Sequence, residues 1–189
     1  MTVPSCRIFL AAIAVSLCLT FGPAKADDSN TYSMQEISDA AQGFFGSTTK
    51  GLAEVIEKVF SDLGRPTAYI TGEEISGAFV VGLRYGKGDL NIKTAGSSKI
   101  FWQGPSVGFD IGGNASKTFV LIYSLKDAEA IYKRFPGIEG TFYFVAGLGV
   151  NYQGDGDITL APIRTGVGLR QGVNIGYLQY NKEHSWLPF

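Results

Sequence analysis

Gly104-Pro105-Ser106-Val107-Gly108 is a literal G-x-S-x-G. In a serine hydrolase this pentapeptide turns sharply from a strand into a helix and lifts the serine hydroxyl toward a histidine base, which a carboxylate orients. The required chain order exists: Ser106, then Asp127 or Asp155, then His184. The surroundings do not suit it. Phe109-Asp110-Ile111-Gly112-Gly113 follows, which reads as strand or turn and not as a helix. His184 is the one histidine and lies in a polar tail, Asn-Lys-Glu-His-Ser-Trp, where a side chain is ordinarily solvated. A serine hydrolase is therefore only a remote alternative.

Other chemistry has less to work with. Gly154-Asp155-Gly156-Asp157 offers two carboxylates, whereas a calcium site needs six or more oxygen ligands, so a turn is expected. Glu73-Glu74 is a conceivable acid–base pair, but neighbours on a strand face opposite ways, and solvation is the default expectation. One histidine, with cysteines only at Cys6 and Cys18, leaves little for transition metals; no metal and no cofactor are expected. No G-x-G-x-x-G stands between a strand and a helix, so a nucleotide cradle is not supported. Cations are interspersed with acids, without the clustered basic face that nucleic acid requires.

The elements that would position any site are mostly strands. Residues 77–122 hold short apolar runs split by Gly, Asn, Ser and Lys, a pattern of successive antiparallel strands. Across 101–112, Gly104, Ser106, Gly108 and Gly112 alternate with Phe101, Val107, Phe109 and Ile111, giving one nearly bare face and one bulky face. Gly168, Gly172 and Gly176 repeat that stripe over 166–180. Glycine costs roughly 0.5–1 kcal/mol inside regular structure, so the stripe implies sharp curvature or a close backbone approach. Further strands are expected at 67–71, 78–85, 90–93, 118–125, 140–152 and 157–163. Turns are expected at Gly72-Glu73-Glu74 and Gly86-Lys87-Gly88-Asp89. Residues 119–123 are apolar on both faces, as in a strand covered on both sides.

Helices are fewer. Residues 34–45 carry apolar positions at helical spacing, with Ser33 and Glu36 at capping-box distance. From Leu52 to Leu63 a stripe recurs at i, i+3, i+4, i+7 after Thr49, a candidate N-cap, and Gly64 and Pro66 end it. A third, short helix is expected over 127–135. The fold class is mainly β with minor α: a small, strongly curved antiparallel β-barrel with two or three short accessory helices.

The N-terminus predicts export. Residues 1–7 carry one cation, residues 8–21 are apolar, and Ala24-Lys25-Ala26 supplies an A-x-A pattern, predicting a signal peptide (1–26) cleaved between Ala26 and Asp27. A flexible segment (27–33) and a single barrel domain (34–189) follow. Both cysteines leave with the signal, and an exported chain without disulfides fits a bacterial periplasm. Removing Arg7 and Lys25 from the 16 cations leaves 14 against 17 anions, a net charge near −3 that argues against nucleic acid or strongly anionic membranes. At most peripheral membrane contact is expected.

Aromatic and apolar residues are abundant, and any sheet face they leave open would be a hydrophobic pocket or a partner surface. Phe79, Val81, Phe101, Phe109, Phe142 and Phe144 are the candidates. The motifs GAFVVGLRYGKGDL, VGFDIGG and FVLIYSLKDAEAIYKRF, with the closing glycine-alternating strand, resemble the SYLF family of lipid-binding domains. Residues 37–188, including RPTAYITGEEISGAFVVGLRYGKGDL and GIEGTFYFVAGLGVNYQ, resemble more closely the periplasmic family typified by envelope integrity protein A. The second resemblance implies a small periplasmic barrel that supports cell-envelope integrity under stress, without an assigned enzymatic activity. The first adds lipid binding. The expected partner is thus a lipid or other hydrophobic envelope molecule; the alternative is an envelope protein docked on a non-catalytic scaffold.

Overall fold

The computed structural model of the protein describes residues 28–46, 51–110, 115–138, 140–165 and 176–185, and at 77–81 and 106–110 it describes the backbone alone. Nine strands form one antiparallel sheet: β1 (Ala68–Ile92), β2 (Gly96–Asp110), β3 (Ala115–Tyr123), β4 (Arg134–Pro136), β5 (Tyr143–Val145), β6 (Leu148–Val150), β7 (Gln153–Gly154), β8 (Thr159–Thr165) and β9 (Tyr177–Asn181). The order is β4-β9-β2-β1-β3-β8-β6-β5, with β7 also on β8. The sheet curls until a bridge between Gly137 and Gln153 brings the β4 side to β7, giving a half-barrel drawn nearly shut.

Much of the curvature lies in β1. Its first part, 68–75, pairs with β3, and its second, 78–92, pairs with β2. The two ends of the strand meet, because the Lys93 amide donates to the Thr67 carbonyl (3.2 Å). Where the halves pass, the Cα of Gly88 lies 2.9 Å from where a Cβ on Gly72 would be. A Cβ on Gly86 would overlap the indole of Trp102. The glycines expected to form turns are therefore strand residues. Gly72, Gly86 and Gly88 admit a crossing backbone or a large ring, and the β1–β2 turn falls at 93–95.

Two apolar clusters sit on opposite faces of the sheet. Inside lie Ile70, Leu90, Ile100, Trp102, Val120, Ile122, Phe135, Leu160, Leu178 and Tyr180, with neighbours. Outside, α1 (Met34–Phe45) and α2 (Leu52–Leu63) cover Phe119, Leu121, Tyr123, Leu148, Val150 and Ile163. Strand β3 serves both, as its two-faced apolar run predicts.

The capping box of α1 is formed: the Glu36 amide donates to Ser33 Oγ (3.2 Å) and the Ser33 amide to Glu36 Oε2 (2.8 Å). Lys93 then hydrogen-bonds Glu36, which with the Ser33 amide and hydroxyl lowers that carboxyl to about 2. The N-cap of α2 is Gly51, in the left-handed region at φ 77°; Thr49 lies outside the described residues. Residues 31–33 are tied down where looseness is expected. Arg65 Nε donates to Thr31 Oγ1 (3.1 Å), the Tyr32 amide donates to the Pro66 carbonyl (2.8 Å), and the Tyr32 ring packs edge-on to Tyr69.

Two other expectations change. The helix expected over 127–135 is a single 3-10 turn, Ala128–Ile131, capped by Asp127, after which the chain extends into β4 so that Phe135 pairs with Leu178 inside. The strand expected over 140–152 is a hairpin. Ala146 and Gly147 take positive φ (47° and 88°), and this tight turn reverses the chain between β5 and β6. Ala26, Asp27, Gly112, Gly168 and Gly172 lie outside the described residues.

Candidate functional site

The sequence-nominated residues separate into distinct places. Ser106 stands within β2, opposite Gly82, and the strand runs on to Asp110 with no helix turn. His184 packs edge-on against Phe101 (centroids 5.9 Å), about 16 Å along β2 from Ser106 at the usual strand rise. Asp127 caps its 3-10 turn, and Asp155 accepts from the Asp157 and Ile158 amides in its own turn. No nucleophile–base–acid geometry is formed by these residues.

The side chains of Phe79, Val81 and Phe109 lie outside the described residues; their backbones are paired, Phe79 opposite Phe109 and Val81 opposite Val107. Gly108 is paired with Val80. At Gly104 a Cβ would overlap the Tyr177 carbonyl, and at Gly176 it would stand 3.1 Å from Pro105 Cγ. β2 and β9 therefore approach each other more closely than side chains would permit.

Phe101 faces an outer groove of about 610 Å³, where Phe44 from α1 faces Thr71, Glu73, Lys87, Asp89 and Lys99 across the crossing of β1. Lys99 is paired with Asp89 (2.7 Å). The groove thus has aromatic ends and a charged wall. Phe142 and Phe144 are half-buried elsewhere, at the β5 edge. Phe144 pairs with Gly149, Gly149 with Arg164 and Arg164 with Thr118, so these four residues share one sheet face.

That face leads to a cluster the sequence reading did not find. Glu74, expected to be solvated, is 2% exposed, whereas Glu73 faces out. Along β1, Glu74 shares a face with Ala68 and Ile70, and this puts it inside. Its Oε1 meets Arg84 Nε (3.2 Å) and Arg164 Nε (3.1 Å), while Oε2 accepts from Trp102 Nε1 (2.9 Å). Arg164 Nη1 also donates to Asn151 Oδ1 (2.8 Å). Burial by itself would push the Glu74 carboxyl up. The Arg164 and Arg84 guanidiniums, with the indole, more than reverse this and hold it below the usual carboxylate range. Tyr180, fully buried beside Trp102, has its hydroxyl pushed well up by burial and stays protonated at neutral pH. Alternation marks Glu74, which takes the parity of Ala68 and Ile70, but Arg84 alternates opposite Phe79, Val81, Leu83 and Tyr85, and the strand around Arg164 is apolar at both parities.

The chain matches the envelope integrity protein A family over residues 30–189. Among solved structures it is similar to a β-barrel-like, uncharacterized protein from Brucella abortus, with 49% sequence identity and a TM-score of 0.76, over 85% of this chain and 99% of that one. No curated protein matches the chain. The curled antiparallel sheet with its two covering helices therefore has an experimental counterpart, and the chain belongs to the envelope integrity protein A family, whose role is in the integrity of the cell envelope.

Proposed function

We propose that the protein works in the periplasm as a non-catalytic binder of a lipid-like envelope molecule, and supports the envelope under stress in that way. The observation that carries this reading is the outer groove. Phe44 and Phe101 offer apolar contact to an acyl or ring system, while Lys87 and Lys99 stand where a polar head would lie. The apolar leader ending in Ala24-Lys25-Ala26 supports export to that compartment. A non-catalytic role is supported by Ser106 lying within a paired strand instead of at a nucleophile turn.

Native mass spectrometry with lipid extraction, on protein purified from the periplasm, tests the reading. Discrete added masses that extract as lipid are expected, and Phe101→Ala should reduce them. A clean apo mass with no gain on adding envelope lipids overturns it. A second reading is a scaffold that docks another envelope protein. Ile75 and Leu83, large apolar side chains exposed on β1, favour it, and in-cell crosslinking from those positions would then recover one partner.

A further inference from the structure

The interior cluster holds buried polar atoms that its described members leave unsatisfied. Glu74 meets both Arg84 and Arg164 through the same oxygen. Arg164 is 5% exposed and places Nε on Glu74 and Nη1 on Asn151. Its Nη2 makes no hydrogen bond among the described residues, and neither do the buried hydroxyls of Thr118 and Tyr180. A buried donor without a partner is destabilising, and a buried guanidinium more so, unless a third group completes the set.

These groups converge. Thr118 is the cross-strand neighbour of Arg164 on the same face. Tyr180 lies on the same inward side, its ring 6.1 Å from that of Trp102, whose indole is bonded to Glu74. Next to Arg84 on the inward side of β1 comes Gly82, which is partly exposed and places no side chain in the way. Donors of this kind, one guanidinium edge and two hydroxyls in a low-dielectric setting, match an oxyanion.

We infer that the barrel interior is an anion-binding site, in which Arg164 with the Tyr180 and Thr118 hydroxyls holds one carboxylate or phosphate group beside Glu74. The site is separate from the outer groove, being on the opposite face of β1. It accepts the anion either as a small free ion or as the head of an amphiphile. In the second case the half-buried Phe144, two strands away on the same face, is placed for the apolar part.

The test follows the emission of Trp102, whose indole is bonded to Glu74, in mature protein carrying Trp186→Phe so that one of the two tryptophans remains. Acetate, inorganic phosphate and dodecyl phosphate are titrated separately. Saturable change is expected, and Tyr180→Phe, which removes a hydroxyl and leaves the ring, should weaken binding about tenfold, the loss typical of one hydrogen bond to a charged group. Thr118→Val should weaken it as well. Saturation by inorganic phosphate or acetate identifies a small-anion site. Saturation by dodecyl phosphate alone, weakened by Phe144→Ala, identifies an amphiphile's head group. No saturable change with any of the three, or equal affinity in Tyr180→Phe and its parent, overturns the inference. Lipid binding that is lost in Phe101→Ala but unchanged in Tyr180→Phe leaves the groove reading standing without this one.

Discussion

Glu73 and Glu74 are the same residue type, adjacent in the same strand, and they live in different media. Glu73 lines the outer groove among lysines and water. Glu74 is enclosed by two guanidiniums and an indole N–H. What separates them is the thickness of one pleat of β1. On the outside, charge is screened and adjustable, so ion pairs such as Lys99–Asp89 contribute little to stability. On the inside each charge is costly by itself, and removing one leaves the rest uncompensated. The outer face can therefore vary with whatever it meets, while the inner face is committed to its partners.

Three substitutions sharpen or break this contrast. The largest effect is expected from Glu74→Gln, which removes the buried negative charge that Arg84 and Arg164 both meet and should destabilise by about 3–5 kcal/mol in chemical denaturation. A loss below about 1 kcal/mol would erase the distinction between the faces. The same carboxyl sets an acid limit. Because its folded-state pKa is lowered, its contribution is complete above the ordinary value of 4.5 and is lost as pH falls through the folded-state value. The parent should thus lose stability on acidification, and Glu74→Gln should flatten that limb. An intermediate effect is expected from Gly86→Ala, whose methyl would overlap the Trp102 indole and push it off Glu74. A loss of about 1–3 kcal/mol, with a shifted tryptophan emission, is the expected result. The smallest effect belongs to Glu73→Gln, which should stay within about 0.5 kcal/mol.

Local rules read well where the answer is local. Ser33 and Glu36 announce the start of α1, and the apolar run at 119–123 announces a strand covered on both sides. They read poorly where one residue type serves two purposes. Gly86 and Gly88 look like a turn because glycine permits turns, yet here it permits the Trp102 ring and a crossing strand. Ala146-Gly147 looked like part of a strand because its flanks alternate, and its two positive φ values conceal a reversal. The interior cluster joins positions 74, 84 and 164, contributed by three separate stretches of chain. Each charge alone resembles an ordinary surface residue, and only the topology brings the three together.

The meeting of Gly137 with Gln153 gives the shell a seam. The long ladders of the wall are β1 with β2 over 78–92, β1 with β3 over 68–75 and β3 with β8 over 118–123, and the shorter joins, such as those of β9 to β2 and β4, still pair three residues each. At the seam, among the described residues, the backbone join is that one bridge and the Ile138 amide on the Tyr152 carbonyl, with the Lys133–Asp155 ion pair beside it. A ring fails first at its shortest weld, so widening of this shell begins there and leaves the long ladders intact. Such a structure is a clasp more than a can: one short join closes it, while the strand that turns the wall from one pairing to the next is β1.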